Sequence, residues 1–326
     1  MSSKRSWRPR TLVILAITAL ILLAACAQAL ILSPSPDPAT PSPSPSASPS
    51  PTPSPSPTPE PTPEPLNRRL LDNRFNVLVV GEDVSAVRRA RGYTGDNTDA
   101  MMLVSIAPGQ KQVTMISLPR DTVDIPLGNG QVWSGKVNGI ANSYGLEGLR
   151  DALATMWDVE IPYYVKVNMD DFVALVDAVG GVNVKVKTVV QEPRWGLYLT
   201  PGKAHLDGLT ALHFTRARYY DSDYARAARQ QQVIRALARK YSDPETDVRI
   251  GRLLGTVAGL ETNLPLEDLK TLVVMARRAS RASFSMEVLT PPAFALGWGD
   301  QHDGRGWVII PNVQAMQAEI RTLLGD

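Results

Sequence analysis

Cysteine is almost missing from this 326-residue chain: Cys26 stands alone. No disulfide can form within the chain, and no cysteine-based zinc site can be built. Histidine is nearly as scarce. His205, His213 and His302 show no metal-ligand spacing and read as structural or surface residues. Charge of one sign is lacking too. The formal net charge is +2, which gives no bulk drive toward nucleic acid, and no nucleic-acid partner is expected. Absent as well are an internal repeat, a glycine-rich phosphate loop, a Ser-His-Asp arrangement and a helix-turn-helix.

What is abundant is distributed unevenly. The first residues are basic, with Lys4, Arg5, Arg8 and Arg10, and then Thr11 to Leu32 is almost unbroken apolar sequence. As a helix that run spans roughly 33 Å, close to the ~30 Å hydrocarbon thickness of a bilayer. A cleaved signal peptide has a shorter apolar core. Residues 1–32 therefore read as a cytoplasmic basic tail and an uncleaved signal-anchor, with the rest of the chain outside the cell. A competing signal is Leu23-Ala24-Ala25-Cys26, which resembles a lipobox and would leave the chain lipid-anchored at Cys26. Both readings tether an extracytoplasmic domain to the membrane. Residues 33–66 alternate proline with Ser, Thr and Glu. Such a linker cannot build a core, and as polyproline II it would reach roughly 100 Å.

From residue 67 to 326 the composition is globular. Asn76–Val80, Ala100–Ile106 and Gln112–Leu118 read as strands, with Asp83 and Asp121 beyond strand ends and Asp99 just before one. If the second and third strands form a hairpin, Asp99 and Asp121 reach the same sheet edge. Two carboxylates there suit Mg²⁺, usually held by one or two carboxylates plus substrate phosphates. They equally suit a turn residue and a cap. Further strands are expected at Tyr163–Asn168, Val182–Val190, Ser283–Leu289 and Trp307–Ile310. Helices are expected at Leu146–Trp157, Phe172–Val179, near Arg249–Leu260, at Leu266–Ala279 and at Val313–Leu324. This mixture implies an α/β fold layered around a central mixed sheet.

The densest chemistry lies between Arg216 and Gln230, where four arginines and two aspartates share fifteen positions. Ala211-Leu-His-Phe-Thr reads as a strand that would place Leu212, Phe214, Arg216 and Arg218 on one side. Asp223, Arg226 and Gln230 sit at i, i+3 and i+7 of a following helix, on the stripe continued by Ile234 and Leu237. Charges on core-facing stripes need partners. Asp221 and Asp223 do not neutralise Arg216, Arg218, Arg226 and Arg229, so a bound anion is expected, and guanidinium forks suit phosphate. The bland alternative is a solvated, capped surface turn.

The order and spacing of several blocks resemble the LytR–CpsA–Psr family. These are Asn76-Val-Leu-Val-Val-Gly-Glu-Asp83, Thr98-Asp-Ala-Met-Met-Leu-Val-Ser105, Ile116-Ser-Leu-Pro-Arg-Asp-Thr122, Lys136-Val-Asn138, Tyr164-Val-Lys-Val-Asn168, Val176-Asp-Ala-Val-Gly-Gly-Val182 and His205-Leu-Asp-Gly-Leu-Thr-Ala-Leu212. The resemblance implies an α-β-α sandwich with a long apolar pocket for a polyprenyl chain. It implies a Mg²⁺-dependent phosphotransferase that moves a glycopolymer from a polyprenyl-pyrophosphate carrier to peptidoglycan through a phosphodiester link. By resemblance, Asp99 and Asp121 are metal ligands, while Arg120, Arg216 and Arg218 grip the pyrophosphate. Asp223, Arg226 and Gln230 line the same site, and Lys136, Asp83 and Arg229 are further substrate contacts. Asp223 or a metal-bound hydroxyl is the candidate base. A polyprenyl-pyrophosphate hydrolase and a non-catalytic polyprenyl-binding wall protein are the alternatives. The chain departs from the pattern at Asn97, where many members carry arginine, and at Ala225, where glycine is common.

Overall fold

The computed structural model describes residues 65–92, 97–240 and 261–325. The expected membrane anchor, the proline-rich linker and the helix near Arg249–Leu260 lie outside these residues. Among the described residues no helix is long and apolar enough to cross a membrane.

The centre is a six-stranded mixed sheet. Its core strands are β1 (Phe75–Glu82), β2 (Thr98–Ile106) and β3 (Gln112–Leu118). The β2–β3 pair is antiparallel, with Met101 opposite Leu118 and Ile106 opposite Val113. Beside β1 lies β6 (Tyr163–Val167), in parallel. The two edges are β11 (Glu261–Thr262) against β6 and β12 (Ser283–Val288) parallel to β3. Between β3 and β6 runs a small ribbon of β4 (Ile125–Pro126) and β5 (Val132–Trp133). Near-continuous apolar runs such as Val77–Val80 are expected for strands covered on both faces.

Alternation along the strands divides the interior into two cores. Phe75, Val77, Met102 and Met115 face one side; Leu78, Val80, Met101 and Ile116 face the other. The first core is covered by α4 (Met169–Ala178), α5 (Gly208–Arg216), α6 (Asp223–Lys240) and α7 (Leu269–Ala279). The second is covered by α3 (Ile140–Trp157) and α8 (Val313–Leu324). Two short helices, α1 (Arg68–Asp72) and α2 (Ala86–Ala90), flank β1. The result is the α/β layering around a central mixed sheet expected from the sequence, with helices on both faces as the family resemblance implied.

Three expectations are corrected. The Ala211–Thr215 run is not a strand but the body of α5. Asp207 caps this helix by accepting a hydrogen bond from the Thr210 amide at 2.8 Å. Arg216 closes α5, and Arg218 follows in the turn leading to α6, so the two arginines do not share a strand face. Val182–Val190 also splits, into β7 (Val182–Val186) and β8 (Val190–Glu192). β7 pairs with β10 (Gly202–Leu206), and β8 pairs with β9 (Leu197–Leu199). Asp99 stands inside β2 rather than before it, two residues from the Met101–Leu118 pair. The closing ribbon, β13 (Ala295–Asp300) and β14 (Trp307–Pro311), docks on the segment after β3 through Ile309.

Candidate active site

The carboxyl ends of β1 and β3, the start of β2 and the α5–α6 turn converge on one edge of the sheet. Arg120 is the hub. Its Nη1 donates to both oxygens of Asp99 at 2.9 Å, and its Nε lies 3.6 Å from Asp121 and 3.5 Å from Asp223. The antiparallel β2–β3 register brings Asp99 and Asp121 to this edge, as expected from the hairpin. Lys136 approaches Asp121 from outside, with Nζ to Oδ1 at 2.6 Å.

The arginine-rich turn closes the other side. Asp223, the first residue of α6, meets Arg218 at 3.1 Å and Arg226 at 3.4 Å. Arg226 is 6% exposed and reaches across to the Asp99 carbonyl at 3.3 Å. Arg216 donates to Asp83 at 2.7 Å, and its guanidinium lies 4.9 Å from the centre of the Trp195 ring. Asp83 also accepts from Arg88. Gln230 donates to the Thr215 carbonyl at 3.4 Å. Ten of the eleven site residues expected from the sequence therefore gather here.

Arg229 does not. Its Nε donates to the Phe214 carbonyl at 2.9 Å, and its two terminal nitrogens are taken by the Ala217 carbonyl and the Asp221 carboxylate. It is 7% exposed and clamps α5 to α6 from behind. Its anion is Asp221, so neither residue enters the charge balance of the site.

What remains is a cationic cluster. Arg120, Lys136, Arg216, Arg218 and Arg226 face the carboxylates of Asp83, Asp99, Asp121 and Asp223. The Nε atoms of Arg120 and Arg226 are buried without a hydrogen-bond acceptor. Such donors are rare in native interiors and call for an acceptor such as a phosphate oxygen. The electrostatics fit this picture. Burial pushes the Arg226 guanidinium below its ordinary value, only partly opposed by Asp223. Burial acts on Arg120 in the same sense, but Asp99, Asp223 and Asp121 outweigh it and raise Arg120 above its ordinary value. Burial would push the Asp223 carboxyl up, yet Arg226, Arg120 and Arg218 outweigh it and hold it below the usual carboxylate range. A carboxylate so held is a weak base, and its geometry makes it the organiser of three guanidiniums.

An elongated cavity of about 310 Å³ opens on this cluster. Asp83, Asp99, Arg216, Arg218, Arg226 and Gln230 line its polar end. From there it runs between the sheet and α4–α7, past Val79, Met102, Leu175 and Ile234, to Ala276 and Phe284. Arg120, Asp121, Asp223 and Lys136 stand behind the polar end, joined to it by the ion pairs above.

Three residues near this site were not singled out from the sequence. Arg194 and Trp195 line the cavity mouth, and Trp195 stacks on His213 with ring centres 5.1 Å apart. Glu192, fully buried at the end of β8, accepts from Arg194 at 2.9 Å and from the Arg218 amide at 3.3 Å. A glutamate at the end of a three-residue strand, beside a proline, carries no sequence signal of burial. Only the chain path from β8 back to α5 reveals it.

Among the described residues no group of three or more His, Cys, Asp or Glu side chains is arranged to hold a metal ion by itself. Asp99 and Asp121 fit Mg²⁺ as donor types: two hard carboxylates at one edge, beside cations that would meet substrate phosphates. Arg120, which pairs with both, is the group a divalent ion would have to compete with.

Solved structures share the fold. Bacillus subtilis TagV superposes with a TM-score of 0.61 at 23% identity, covering 78% of this chain and 98% of that one. A structure described as TagT bound to LIIa-WTA superposes with a TM-score of 0.60 at 22% identity, covering 81% and 95%. By sequence, the chain is 33% identical over 212 residues to the polyisoprenyl-teichoic acid–peptidoglycan teichoic acid transferase TagU of Enterococcus faecalis, covering 63% of this chain and 66% of the relative. It is 32% identical over 210 residues to biofilm regulatory protein A of Streptococcus mutans, covering 60% and 51%. The match thus spans about half to two thirds of these curated relatives. The profile of the LytR–CpsA–Psr family matches residues 53–317, and the chain belongs to that family.

Proposed function

We propose that this protein transfers a glycopolymer from a polyprenyl-pyrophosphate carrier to peptidoglycan. The observation that carries the reading is the union of an elongated apolar cavity with a cationic cluster at its mouth. That shape suits an amphiphile with an anionic head and a long hydrocarbon tail. The teichoic acid transferase among its relatives acts on a substrate of that class.

In the proposed reaction an acceptor hydroxyl of peptidoglycan attacks the phosphorus that bears the glycan. The bond from that phosphorus to the bridging oxygen breaks. The bridging oxygen leaves with polyprenyl phosphate, and the hydroxyl proton passes to solvent. Phosphoryl transfer is mainly positioning and charge stabilisation. Arg120, Arg216, Arg218 and Arg226 would hold the phosphates, Asp223 would order Arg120, Arg218 and Arg226, Asp83 would order Arg216, and the apolar cavity would keep the tail in register. Asp99 and Asp121 would hold Mg²⁺, which when bound supplies further neutralisation of phosphate charge.

The basic tail and apolar run of residues 1–32 support a single-pass membrane protein with its domain extracytoplasmic, or a lipoprotein anchored at Cys26. Mass spectrometry of the mature N-terminus distinguishes them.

The decisive assay supplies the full chain with a lipid-pyrophosphate-linked oligosaccharide and purified peptidoglycan, with Mg²⁺ or with chelator. Transfer requires both release of polyprenyl phosphate and covalent capture of the glycan by the wall. Release without capture would indicate hydrolysis instead. The Asp99→Ala, Asp121→Ala double variant should lose at least about a hundredfold in rate, the scale of removing a preorganised charge-stabilising group. Release as fast as wild type would remove the metal assignment.

A further inference from the structure

We propose that Glu192 and Arg229 are positioning residues that together hold the main chain of Arg218 at the cavity mouth. The inference rests on the reading that Arg218 grips substrate phosphate, and it goes beyond it.

Arg218 sits in the turn between α5 and α6, where main-chain freedom would blur its aim. Its own amide donates to the buried carboxylate of Glu192 at 3.3 Å. The carbonyl of the preceding residue, Ala217, accepts from Arg229. The Ala217 amide is already spent on the His213 carbonyl at 2.8 Å, closing α5. Arg229 extends the grip in both directions, to the Phe214 carbonyl at 2.9 Å and to Asp221. Both ends of the Ala217–Arg218 peptide group, its carbonyl and its amide, are therefore held by ionised side chains that do not themselves line the cavity. Charge-assisted bonds of this kind are roughly twice as strong as neutral ones.

Glu192 must remain ionised to do this, and Arg194 keeps it so. The Arg194 guanidinium meets Glu192 at 2.9 and 3.3 Å while remaining largely exposed at the cavity mouth. The turn that follows β8 is thereby tied to the turn that follows α5. A buried carboxylate without such partners would be costly. Its placement here, between a cavity-lining arginine and the amide of another, points to preorganisation rather than to bulk stability.

The test has two readouts on the full chain. The first needs no ligand: amide hydrogen exchange across residues 217–223 in wild type and Glu192→Gln. Exchange in this turn should rise at least about threefold, with the global unfolding midpoint little changed. Unchanged exchange there overturns the proposal. The second is the affinity for geranylgeranyl pyrophosphate, measured as a double-mutant cycle. Arg218→Ala should weaken binding about tenfold or more, and Glu192→Gln about three- to tenfold, as expected for charge-assisted contacts to phosphate. In the Arg218→Ala background Glu192→Gln should add less than about twofold, because its effect runs through Arg218. An equal factor in both backgrounds overturns the proposal, and so does a Glu192→Gln effect when Arg218→Ala binds normally. Glu192→Asp should recover part of the affinity that Glu192→Gln loses. If wild type binds no prenyl pyrophosphate, the transfer reading fails, while the exchange measurement still decides the main-chain role.

Discussion

Asp223 is the residue where burial and charge compete most openly. Its carboxylate is met by Arg218 at 3.1 Å, Arg226 at 3.4 Å and Arg120 at 3.5 Å. Burial alone would raise its pKa; the three guanidiniums reverse the sign. A folded-state pKa below the unfolded one contributes stability that is present above the unfolded value and is lost as pH falls through the folded one. Asp223→Asn should therefore lower Tm at pH 7, where Arg226 is left buried with weaker compensation. Relative to wild type, the deficit should shrink as pH falls below about 4. Thermal melts of the pair at pH 7, 4 and 3 check this. A deficit that stays constant through that range would mean the carboxylate's charge is not what the arginines use. At this scale the sequence was informative: the Asp-x-x-Arg-x-x-x-Gln spacing places its charges on one face whether or not the surrounding chain is understood. Arg229 was not separable from its neighbours, because its role depends on carbonyls at the end of the preceding helix.

At the scale of elements, α5 decides where Arg216 and Arg218 stand. Its run Ala211-Leu-His-Phe-Thr is short and apolar, and periodicity cannot tell such a run from a strand. The informative signal lay upstream: Asp207 followed by Gly208, Leu209 and Thr210 is an N-cap with its first turn. Strands β1 to β3 were legible because uniform apolar runs ended in turn residues. The β8–β9 ribbon was not, since strands of three residues carry too little pattern. The start of α5 is also its tightest contact. The Gly208 amide donates to Asp177 of α4 at 2.6 Å, and a Cβ at position 208 would lie 2.3 Å from the Val173 carbonyl oxygen. That neighbour is backbone and cannot step aside. Gly208→Ala should cost about 1–3 kcal/mol or more, as overpacking does, and should displace α5 from α4. Chemical denaturation gives the loss, and a variant as stable as wild type would show that the α4–α5 spacing is soft. Because Arg216 ends the same helix, prenyl-pyrophosphate affinity should fall with it.

At the scale of the molecule, the described residues leave a cavity in the core on one face of the sheet. The face under α3 and α8 packs around fully buried Trp157, Leu149 and Ile320. The face under α4–α7 retains the cavity of about 310 Å³. A void in an apolar core costs stability, on the order of 24 cal/mol per Å³ in measured series, unless a ligand occupies it. Its persistence beneath a cationic mouth is what a binding function requires. The cavity itself was not legible from residue order: Val79, Met102 and Leu175 look like any core residues, and only the spacing of α4–α7 from the sheet makes them a wall. Filling the space separates the two roles. Ile234 of α6 is half-buried and lines the cavity beyond the arginines. Ile234→Trp adds volume where there is room, so stability, read as Tm, should hold or rise rather than show the loss of about 1–3 kcal/mol usual for overpacking. Transfer from a long-chain polyprenyl donor should drop about tenfold or more, because the added ring takes the path of the tail. A donor whose lipid is cut to a short prenyl group should be affected far less, since the phosphate contacts are untouched. Equal losses on both donors, or none on the long one, would mean the tail lies elsewhere.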